Sequence, residues 1–374
     1  MLIFLPALLL FGQSSPDPAR LRTTIKHLSS FPTRNTSTPG LARAAEWVAG
    51  QFSQIPGLRV QIFTYTIQKG PRVPVTKDVA EVVAILPGET DHRVIIGGHL
   101  DSINLKADPM TGIAPGADDD GSGVALTLEA ARLMAKRKWH NTVVFVAFSG
   151  EEQGTFGSAA LAQTAKSEGW KIDAVLSNDI VGSDRNTSGM KNGREVRVFS
   201  DDDRITNSRE LARLTEFVGR SMPGFRAKLI FRPDRFGRGG DHSSFNQEGF
   251  PAVRFTEVEE DFTHQHTQFD LPQYVNYDYL ARVTALNVQT AESLASAGVQ
   301  PSSVKVKREL SHNTTLQWTG GEAPFVVYWR ATTSPVWEGS REVGAVHNIT
   351  LNGMSKDDLV FAVGSKGGVP LEAR

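Results

Sequence analysis

The sequence contains no cysteine, and this absence restricts the chemistry that is open to the protein. Disulfide bonds and thiolate ligands for zinc are excluded, so any metal site has to use imidazole and carboxylate groups. The absence of cysteine does not define the cellular compartment, because exported proteins without disulfides exist.

The sequence also lacks a surplus of charge of either sign. Its 40 Lys and Arg residues nearly balance its 41 Asp and Glu residues, and the net charge is −1. Proteins that bind nucleic acid usually present a clustered basic surplus, so we expect no nucleic-acid partner. A short basic run at 136–138 follows a helical pattern, where the helix dipole favours positive charge.

Long apolar runs are missing as well. No segment beyond the N-terminus approaches the roughly 18 uninterrupted apolar residues that suggest a membrane-spanning helix. Residues 2–11 form a short apolar run followed by polar residues, which is typical of a signal peptide, here over 1–15. The run lacks preceding basic residues, so a buried strand or an uncleaved anchor is the alternative. We expect a secreted or periplasmic protein with no membrane span after signal removal.

The 374 residues suffice for two or three domains, and most of the chain alternates between strand and helix patterns. Strands separated by helices indicate crossover connections, and hence an α/β domain over 18–299 with a mixed, largely parallel sheet flanked by helices. The predicted strands cover 79–86, 94–98, 143–148, 173–180, 226–231 and 252–256, and the predicted helices cover 18–29, 41–54, 123–136, 156–165, 207–221 and 276–297.

The helical pattern disappears near residue 299, and residues 300–374 contain short strand-like runs separated by turns. This spacing predicts a small antiparallel β-sandwich. Leu316-x-Trp318, followed by Tyr328-x-Arg330, resembles a fibronectin type III module. We expect this second domain to be non-catalytic, with a stabilising or interaction role.

Acidic and histidine residues occur in five places near the ends of predicted strands. In an open parallel sheet, binding sites form at the carboxyl ends of the strands. Each place alone has an ordinary explanation, such as a core histidine, a helix N-cap or a solvated loop. The five places are His99-Leu100-Asp101, Asp118-Asp119-Asp120, Glu151-Glu152, Asn178-Asp179, and a last group with Asp241-His242 and His266 to Asp270.

Together these features are more informative than any one of them. Three successive carboxylates repel one another, and a helix N-cap explains only one of them. Two Glu residues at the exit of an apolar strand are costly to enclose without partners. One His, two Asp, one Glu and a further His supply oxygen and nitrogen ligands that suit two tetrahedral zinc ions sharing a carboxylate. The sequence therefore predicts a metal centre.

The order of these motifs resembles peptidase family M28, the zinc aminopeptidases that include bacterial leucyl-aminopeptidase-like enzymes. The resemblance covers roughly residues 75–272. It implies that His99 and Asp179 bind one zinc ion and that Glu152 and His266 bind the other. Asp119 would bridge the two ions.

The same resemblance implies roles for the neighbours of these ligands. Glu151 would be the general base, and Asp101 would orient His99. The peptide bond of Asp119-Asp120 would be cis, as the corresponding bond often is in the family.

Two departures from the family pattern concern the loops around His266. His264 lies close by and is an alternative ligand, although the Thr-x-x-Asp that follows His266 favours the latter. Family members often supply a tyrosine that polarises the scissile carbonyl, and none is evident here. Arg235 or Arg238 is the candidate substitute.

The resemblance implies an exopeptidase that hydrolyses the N-terminal residue of peptides or proteins through a water activated by two zinc ions. A carboxypeptidase or dipeptidase with the same metal site is the nearest alternative. A glutaminyl cyclase would use one zinc on this scaffold, and the full ligand set disfavours it. A non-catalytic binding homologue is the alternative from another class.

Overall fold

The structure is a computed structural model that describes residues 15–201 and 206–374. The signal peptide predicted for residues 1–15 therefore lies almost wholly outside the described residues. Within the two described ranges, the helices are all too short or too polar to cross a membrane.

The described elements follow the predicted alternation of strands and helices. The helices are α1 (Pro18–Leu28), α2 (Pro39–Ser53), α3 (Gly121–Met134), α4 (Glu151–Gly154), α5 (Phe156–Ser167), α6 (Ser208–Gly219), α7 (Asp241–Gln247) and α8 (Tyr277–Ala295), with a 3-10 turn at Pro272–Tyr274. The strands of the large sheet are β1 (Arg59–Ile67), β2 (Lys77–Leu86), β3 (His92–His99), β4 (Thr142–Phe148), β5 (Lys171–Asn178), β6 (Glu195–Ser200), β7 (Arg226–Ile230) and β8 (Ala252–Glu257).

The eight strands form one mixed sheet in the order β1-β2-β4-β3-β5-β8-β6-β7. Strands β4, β3, β5 and β8 run parallel to one another in the centre, and β6 pairs in parallel with β7. The β1–β2, β2–β4 and β6–β8 pairs are antiparallel. The prediction of a mixed, largely parallel sheet flanked by helices is confirmed.

The central strands are buried on both faces. Ile96 and Phe145 lie in a core covered by α1, α2, α3, α6 and α8. Ile95 and Val144 point to the opposite face, into a second core that contains side chains of α5 and α7. Burial on both faces explains why the run at 143–148 is continuously apolar rather than alternating.

Two strands of the large sheet were not predicted. Strand β1 lies at the edge of the sheet, where most of its side chains are exposed or half-buried, so it lacks a clear apolar alternation. Strand β6 has only six residues, with Glu195 and Arg197 among its first three. Short or edge strands bury little apolar surface, and their sequence pattern is correspondingly weak.

Residues after α8 form two antiparallel sheets with a shared apolar core, which agrees with the predicted sandwich. Helix α8 ends at Ala295 and the first of these strands begins at Pro301, on either side of the predicted boundary at 299. Strands β12 and β15 lie outside the strand-like runs of the sequence, which cover 303–306, 315–318, 325–330, 345–351 and 359–363. The strands are β9 (Pro301–Val306), β10 (Thr314–Gly320), β11 (Phe325–Ala331), β12 (Gly339–Gly344), β13 (Asn348–Leu351), β14 (Leu359–Ser365) and β15 (Leu371–Glu372), in the orders β13-β10-β9 and β12-β11-β14-β15.

The sandwich packs against α6 of the larger domain. The ring of Phe217 meets that of Tyr328 edge to face, with centroids 5.6 Å apart. Arg213 Nε donates a hydrogen bond to the carbonyl oxygen of Pro335 at 2.9 Å. These contacts attach the sandwich to the larger domain through α6.

Candidate metal centre

The central strands bring the candidate ligands to one edge of the large sheet. His99 is the last residue of β3, Glu152 follows β4 in α4, and Asp179 directly follows β5. Asp119 lies in the loop before α3, and His266 lies in the loop after β8. Four of the five residues thus come from the carboxyl ends of the parallel strands, where open α/β sheets form their sites.

The five side chains form two adjacent groups that share Asp119. His99 Nε2 lies 3.1 Å from Asp119 Oδ1 and 3.6 Å from Asp179 Oδ1. His266 Nε2 lies 3.0 Å from Asp119 Oδ2 and 3.1 Å from Glu152 Oε2. Within each group, one ligand atom from every residue lies within 4.8 Å of the others. Asp119 therefore presents one carboxylate oxygen to each imidazole.

The chemistry of these atoms fits a metal ion. His99 Nε2, Asp119 Oδ2, Glu152 Oε1 and Asp179 Oδ1 are buried and make no hydrogen bond of acceptable angle, although His99 Nε2 lies about 3 Å from a carboxylate oxygen and Asp119 Oδ2 lies about 3 Å from an imidazole nitrogen. A buried polar atom left without a partner costs about 1–3 kcal/mol. Imidazole nitrogen and carboxylate oxygen are ligands that zinc takes in tetrahedral sites. Each group could therefore hold one divalent cation, which would satisfy the unpaired atoms.

The imidazoles and carboxylates of the site shift one another's pKa values. Burial disfavours protonation of His266, but the carboxylates of Glu152 and Asp119 outweigh it and raise its pKa to about 11. Burial is likewise outweighed at His99, whose pKa is raised well above its usual range, mainly by Asp179. A divalent cation would have to displace protons from both rings, since only the neutral imidazole binds a metal.

The side chains of the three successive aspartates make three different sets of contacts. Asp118 Oδ1 accepts the backbone N–H of Gly182 at 2.7 Å. Asp120 is the N-cap of α3, and its other oxygen accepts the backbone N–H of His99 at 2.9 Å. Only Asp119 faces the two imidazoles. The peptide bond between Asp119 and Asp120 is cis, as the family resemblance implies.

Two further residues support the aspartate loop. The carboxylate of Asp270 accepts the backbone N–H groups of Asp118 and Asp119, both at 2.9 Å. A Cβ atom on Gly123 would lie 2.2 Å from the carbonyl oxygen of Asn178. Only glycine therefore allows α3 to approach β5 this closely.

Arg34 supports the site and was not predicted from the sequence. This residue is fully buried, and its guanidinium donates to the carbonyl oxygens of Leu100 at 2.7 Å, Pro115 at 2.5 Å and Gly116 at 2.8 Å. Leu100 follows His99, and the other two residues lead to the aspartate loop. A single arginine in an irregular segment that binds main-chain carbonyls has no recognisable sequence pattern.

Glu151 and Asp101 lie beside the candidate ligands. The carboxylate of Asp101 accepts the backbone N–H groups of Glu151 at 3.2 Å and Glu152 at 3.1 Å. His99 Nδ1 is 3.1 Å from the main-chain oxygen of Asp101 but 3.7 Å from its carboxylate. Burial, aided by the nearby carboxylates of Asp179 and Glu152, raises the pKa of Glu151 well above its usual range.

Three other residues that the sequence analysis weighed lie outside both groups. His264 stacks on Tyr274, with ring centroids 4.0 Å apart, and is not part of either candidate group. Asp241 and His242 begin α7, and His242 Nε2 lies 2.7 Å from the carbonyl oxygen of Pro233. The structure thus places His266, rather than His264, against Asp119.

A cleft of about 280 Å³ opens over the two groups, and four arginines line it: Arg72, Arg235, Arg238 and Arg254. Arg254 is 1% exposed and lies 2.8 Å from Asp179 and 2.9 Å from Asp234. Arg235 forms ion pairs with Asp234 and Glu260. Both candidates for carbonyl polarisation, Arg235 and Arg238, therefore line the cleft, and Arg235 is committed to two carboxylates.

Comparison with known proteins points to the same chemistry. The family model described as Peptidase family M28 matches residues 81–291. A protein of Pyricularia oryzae named "Probable zinc metalloprotease" is 36% identical in an alignment that covers 94% of this chain and 80% of that protein.

Two solved structures illustrate the range of proteins with this fold. The LapA aminopeptidase of Legionella pneumophila superposes with a TM-score of 0.61 at 24% identity, covering 75% of this chain and 72% of that one. The glutaminyl cyclase of Fimbriiglobus ruber superposes with a TM-score of 0.60 at 20% identity, covering 76% of this chain and 98% of that one. Because a peptidase and a cyclase share the fold, the activity has to be argued from the site.

Proposed function

We propose that this chain, which belongs to peptidase family M28 and is a zinc metallopeptidase, is an aminopeptidase. It would bind two zinc ions and remove the N-terminal residue of peptides. The observation that carries the proposal is the position of Asp119. Its Oδ1 lies 3.1 Å from His99 Nε2, and its Oδ2 lies 3.0 Å from His266 Nε2. His99 and Asp179 would hold one ion, Glu152 and His266 would hold the other, and Asp119 would be shared.

Zinc in such a site supplies a Lewis acid that polarises a carbonyl group and lowers the pKa of a bound water. Glu151 supplies the proton transfer, because its carboxyl group lines the same cleft beside the candidate ligands. It takes a proton from the attacking water and returns it to the leaving amine nitrogen. Asp101 positions Glu151 and Glu152 together by accepting their backbone N–H groups.

The aminopeptidase assignment can be tested by the choice of substrate. The full chain, loaded with zinc, should hydrolyse aminoacyl-nitroanilides with a free amine and leave N-acetylated versions intact. A chelator should abolish the activity, and added zinc should restore it. These expectations rest on the need for a metal ion and for a free substrate amine.

Further substrates separate the alternatives. Release of C-terminal residues from N-blocked peptides would support a carboxypeptidase, and cleavage confined to dipeptides would support a dipeptidase. Cyclisation of N-terminal glutamine without hydrolysis would support a cyclase. A protein that binds zinc but turns over none of these substrates would be a non-catalytic homologue.

We also propose that the protein is exported, on the basis of the apolar run at residues 2–11. N-terminal sequencing of the protein from culture fluid or periplasm should show a chain that begins near residue 16. A full-length chain confined to the cytoplasmic fraction would contradict this proposal.

A further inference from the structure

The cleft over the candidate metal centre is lined by four arginines and by the carboxylates of the centre, and it has few apolar side chains. Among the described residues that line it, Leu105 is the only one with an aliphatic side chain, and four are arginines. Pockets that select apolar ligand groups are lined mainly by apolar and aromatic side chains. The composition of this cleft therefore favours a substrate group that is charged rather than apolar.

The four arginines divide into two pairs. Arg235 and Arg254 lie against carboxylates, as described above. Arg72 and Arg238 are held instead by neutral acceptors. Arg72 Nη1 donates to the main-chain oxygen of Glu152 at 2.9 Å, and Arg238 Nη1 donates to Gln265 Oε1 at 3.2 Å. Hydrogen bonds to neutral groups fix the positions of these two guanidiniums without neutralising their charges.

The nearest carboxylate to Arg238 is already shared. Glu260 forms close ion pairs with Arg197 and Arg235, and its distance to Arg238 Nη1 is 3.8 Å. One negative charge thus faces three guanidiniums. Arg72 forms no ion pair with any described residue that would offset its charge, and its side chain is exposed.

Both guanidiniums line the cleft and are hydrogen-bonded to segments that carry the ligand pair Glu152 and His266. Arg72 is attached to the backbone of Glu152, and Arg238 is attached to Gln265, the residue before His266. Two divalent cations would neutralise the carboxylates of the centre, so the positive charge of the two arginines would dominate the cleft.

We propose that Arg72 and Arg238 bind a carboxylate of the substrate, and that the preferred substrates carry a carboxylate close to the bond that is cut. The inference rests on the function proposed above. The planar guanidinium group matches a carboxylate through paired N–H donors. The carboxylate has two sources, the acidic side chain of the N-terminal residue or the C-terminal carboxylate of a dipeptide.

The kinetic test uses the zinc-loaded full chain. Glutamyl- and glutaminyl-nitroanilides compare a charged with a neutral side chain, and Leu-Gly and its C-terminal amide compare a charged with a neutral terminus. We expect the charged member of one pair to have the higher kcat/KM, and that pair identifies the source. Arg72→Gln and Arg238→Gln should each lower this preference about tenfold or more, the usual effect of losing a charged hydrogen bond.

The loop between β7 and α7, which contains Arg238, also offers a matched control. Arg232 lies over the ring of Phe236, 4.0 Å from its centroid, and does not line the cleft. Arg232→Gln should therefore leave the preference intact. Equal kcat/KM within both substrate pairs, or a preference that survives both cleft substitutions, would overturn the inference.

A binding measurement separates this inference from the proposed function. Calorimetric titration of the zinc-loaded protein with L-glutamate and L-glutamine requires no turnover. Tighter binding of glutamate that is lost in both Gln variants supports the inference, even if no peptide is hydrolysed and the proposed function fails. Glycylglycine and glycylglycinamide form the corresponding pair for a terminal carboxylate. Equal binding within both pairs counts against the inference. If a Gln variant does not fold, Arg72→Lys and Arg238→Lys replace it in the test. These substitutions keep the charge and should retain part of the preference.

Discussion

Apolar side chains fill the space between the two C-terminal sheets, whereas carboxylates and imidazoles fill the edge of the large sheet. Leu316 and Phe325 of the sandwich are almost fully buried among other apolar groups. Asp119 and Glu152 at the metal centre are buried to a similar degree, yet each has an oxygen without a hydrogen-bond partner. Burial of apolar groups stabilises the sandwich by itself, whereas the buried carboxylates at the candidate metal centre need a positive partner, either the protonated imidazoles or a metal cation.

The metal-centre edge also holds its backbone in less favourable conformations. Ile180, which follows Asp179, and His266 both have positive φ, at 60° and 54°. Such conformations cost of order 1 kcal/mol or more for a residue other than glycine. The comparison shows that the edge is organised for binding and the sandwich for stability, and four experiments test this distinction.

Glu151→Gln should separate activity from stability most sharply. The substitution keeps the size of the side chain but removes its ability to accept a proton. We expect kcat/KM to fall about a thousandfold, or about 4 kcal/mol, while zinc content and melting temperature stay the same. Glu46→Gln on the exposed face of α2 is the control. A Glu151→Gln enzyme that keeps both zinc and turnover would refute the assignment of the general base.

Arg34→Met tests whether the edge depends on its buried support. The substitution leaves the carbonyl oxygens of Leu100, Pro115 and Gly116 without their donor, so we expect the larger domain to lose about 3–4 kcal/mol of stability. Activity should fall with it, as measured by urea unfolding and kcat on the same samples. Arg43→Met, at an exposed position of α2, should change neither. Unaltered unfolding of Arg34→Met would show that the carbonyl contacts contribute little.

Leu316→Ala tests the opposite side of the comparison. Removing a fully buried side chain from the sandwich core should destabilise that domain by about 2–3 kcal/mol. Turnover at room temperature should stay the same, because the sandwich contacts α6 and does not line the cleft. Hydrogen exchange of the backbone amides of β10, β11 and β14 reports unfolding there, with exposed Leu310→Ala as the control. A parallel fall in kcat would show that the sandwich shapes the active site.

Acid should weaken zinc binding without unfolding the sandwich. Because the pKa values of His99 and His266 are raised, both rings hold protons that zinc has to displace. Affinity should therefore decrease as the pH falls, about tenfold per pH unit for each proton released. Zinc titrations at several pH values in buffers of different ionisation enthalpy would count the protons. Affinity that is independent of pH would contradict the raised pKa values.

Much of the architecture could be predicted from the sequence, because the central strands and helices have strong apolar patterns. The apolar run at 143–148 indicated a strand buried on both faces, and the structure places it in the middle of the sheet. The candidate ligands could be recognised because His99, Glu152 and Asp179 each follow a strand whose end is clear from the sequence. Their side chains, together with Asp119 and His266, are the ones that the structure brings together.

What could not be predicted depends on contacts between distant segments. Arg34 binds main-chain carbonyl oxygens, which every residue has, so its partners leave no mark in the sequence. Arg254 lies on a buried strand, and its ion pair with Asp179 requires the register between β5 and β8. Arg235 and Arg238 were proposed from their position in the loop alone. The sequence does not indicate that Arg235 forms close ion pairs with Asp234 and Glu260 while Arg238 is hydrogen-bonded to Gln265.

The position of Arg34 also matters for the design of shorter forms of the protein. A fragment trimmed to the family match at 81–291 would keep all five candidate zinc ligands. It would lose Arg34, whose guanidinium binds the carbonyl oxygens of the loops that follow His99 and precede Asp119. It would also lose the edge strand β1 and the helices α1 and α2, which cover one face of the sheet. A catalytically competent fragment should therefore start ahead of α1, and an inactive product from a later start would reflect missing scaffolding rather than missing chemistry.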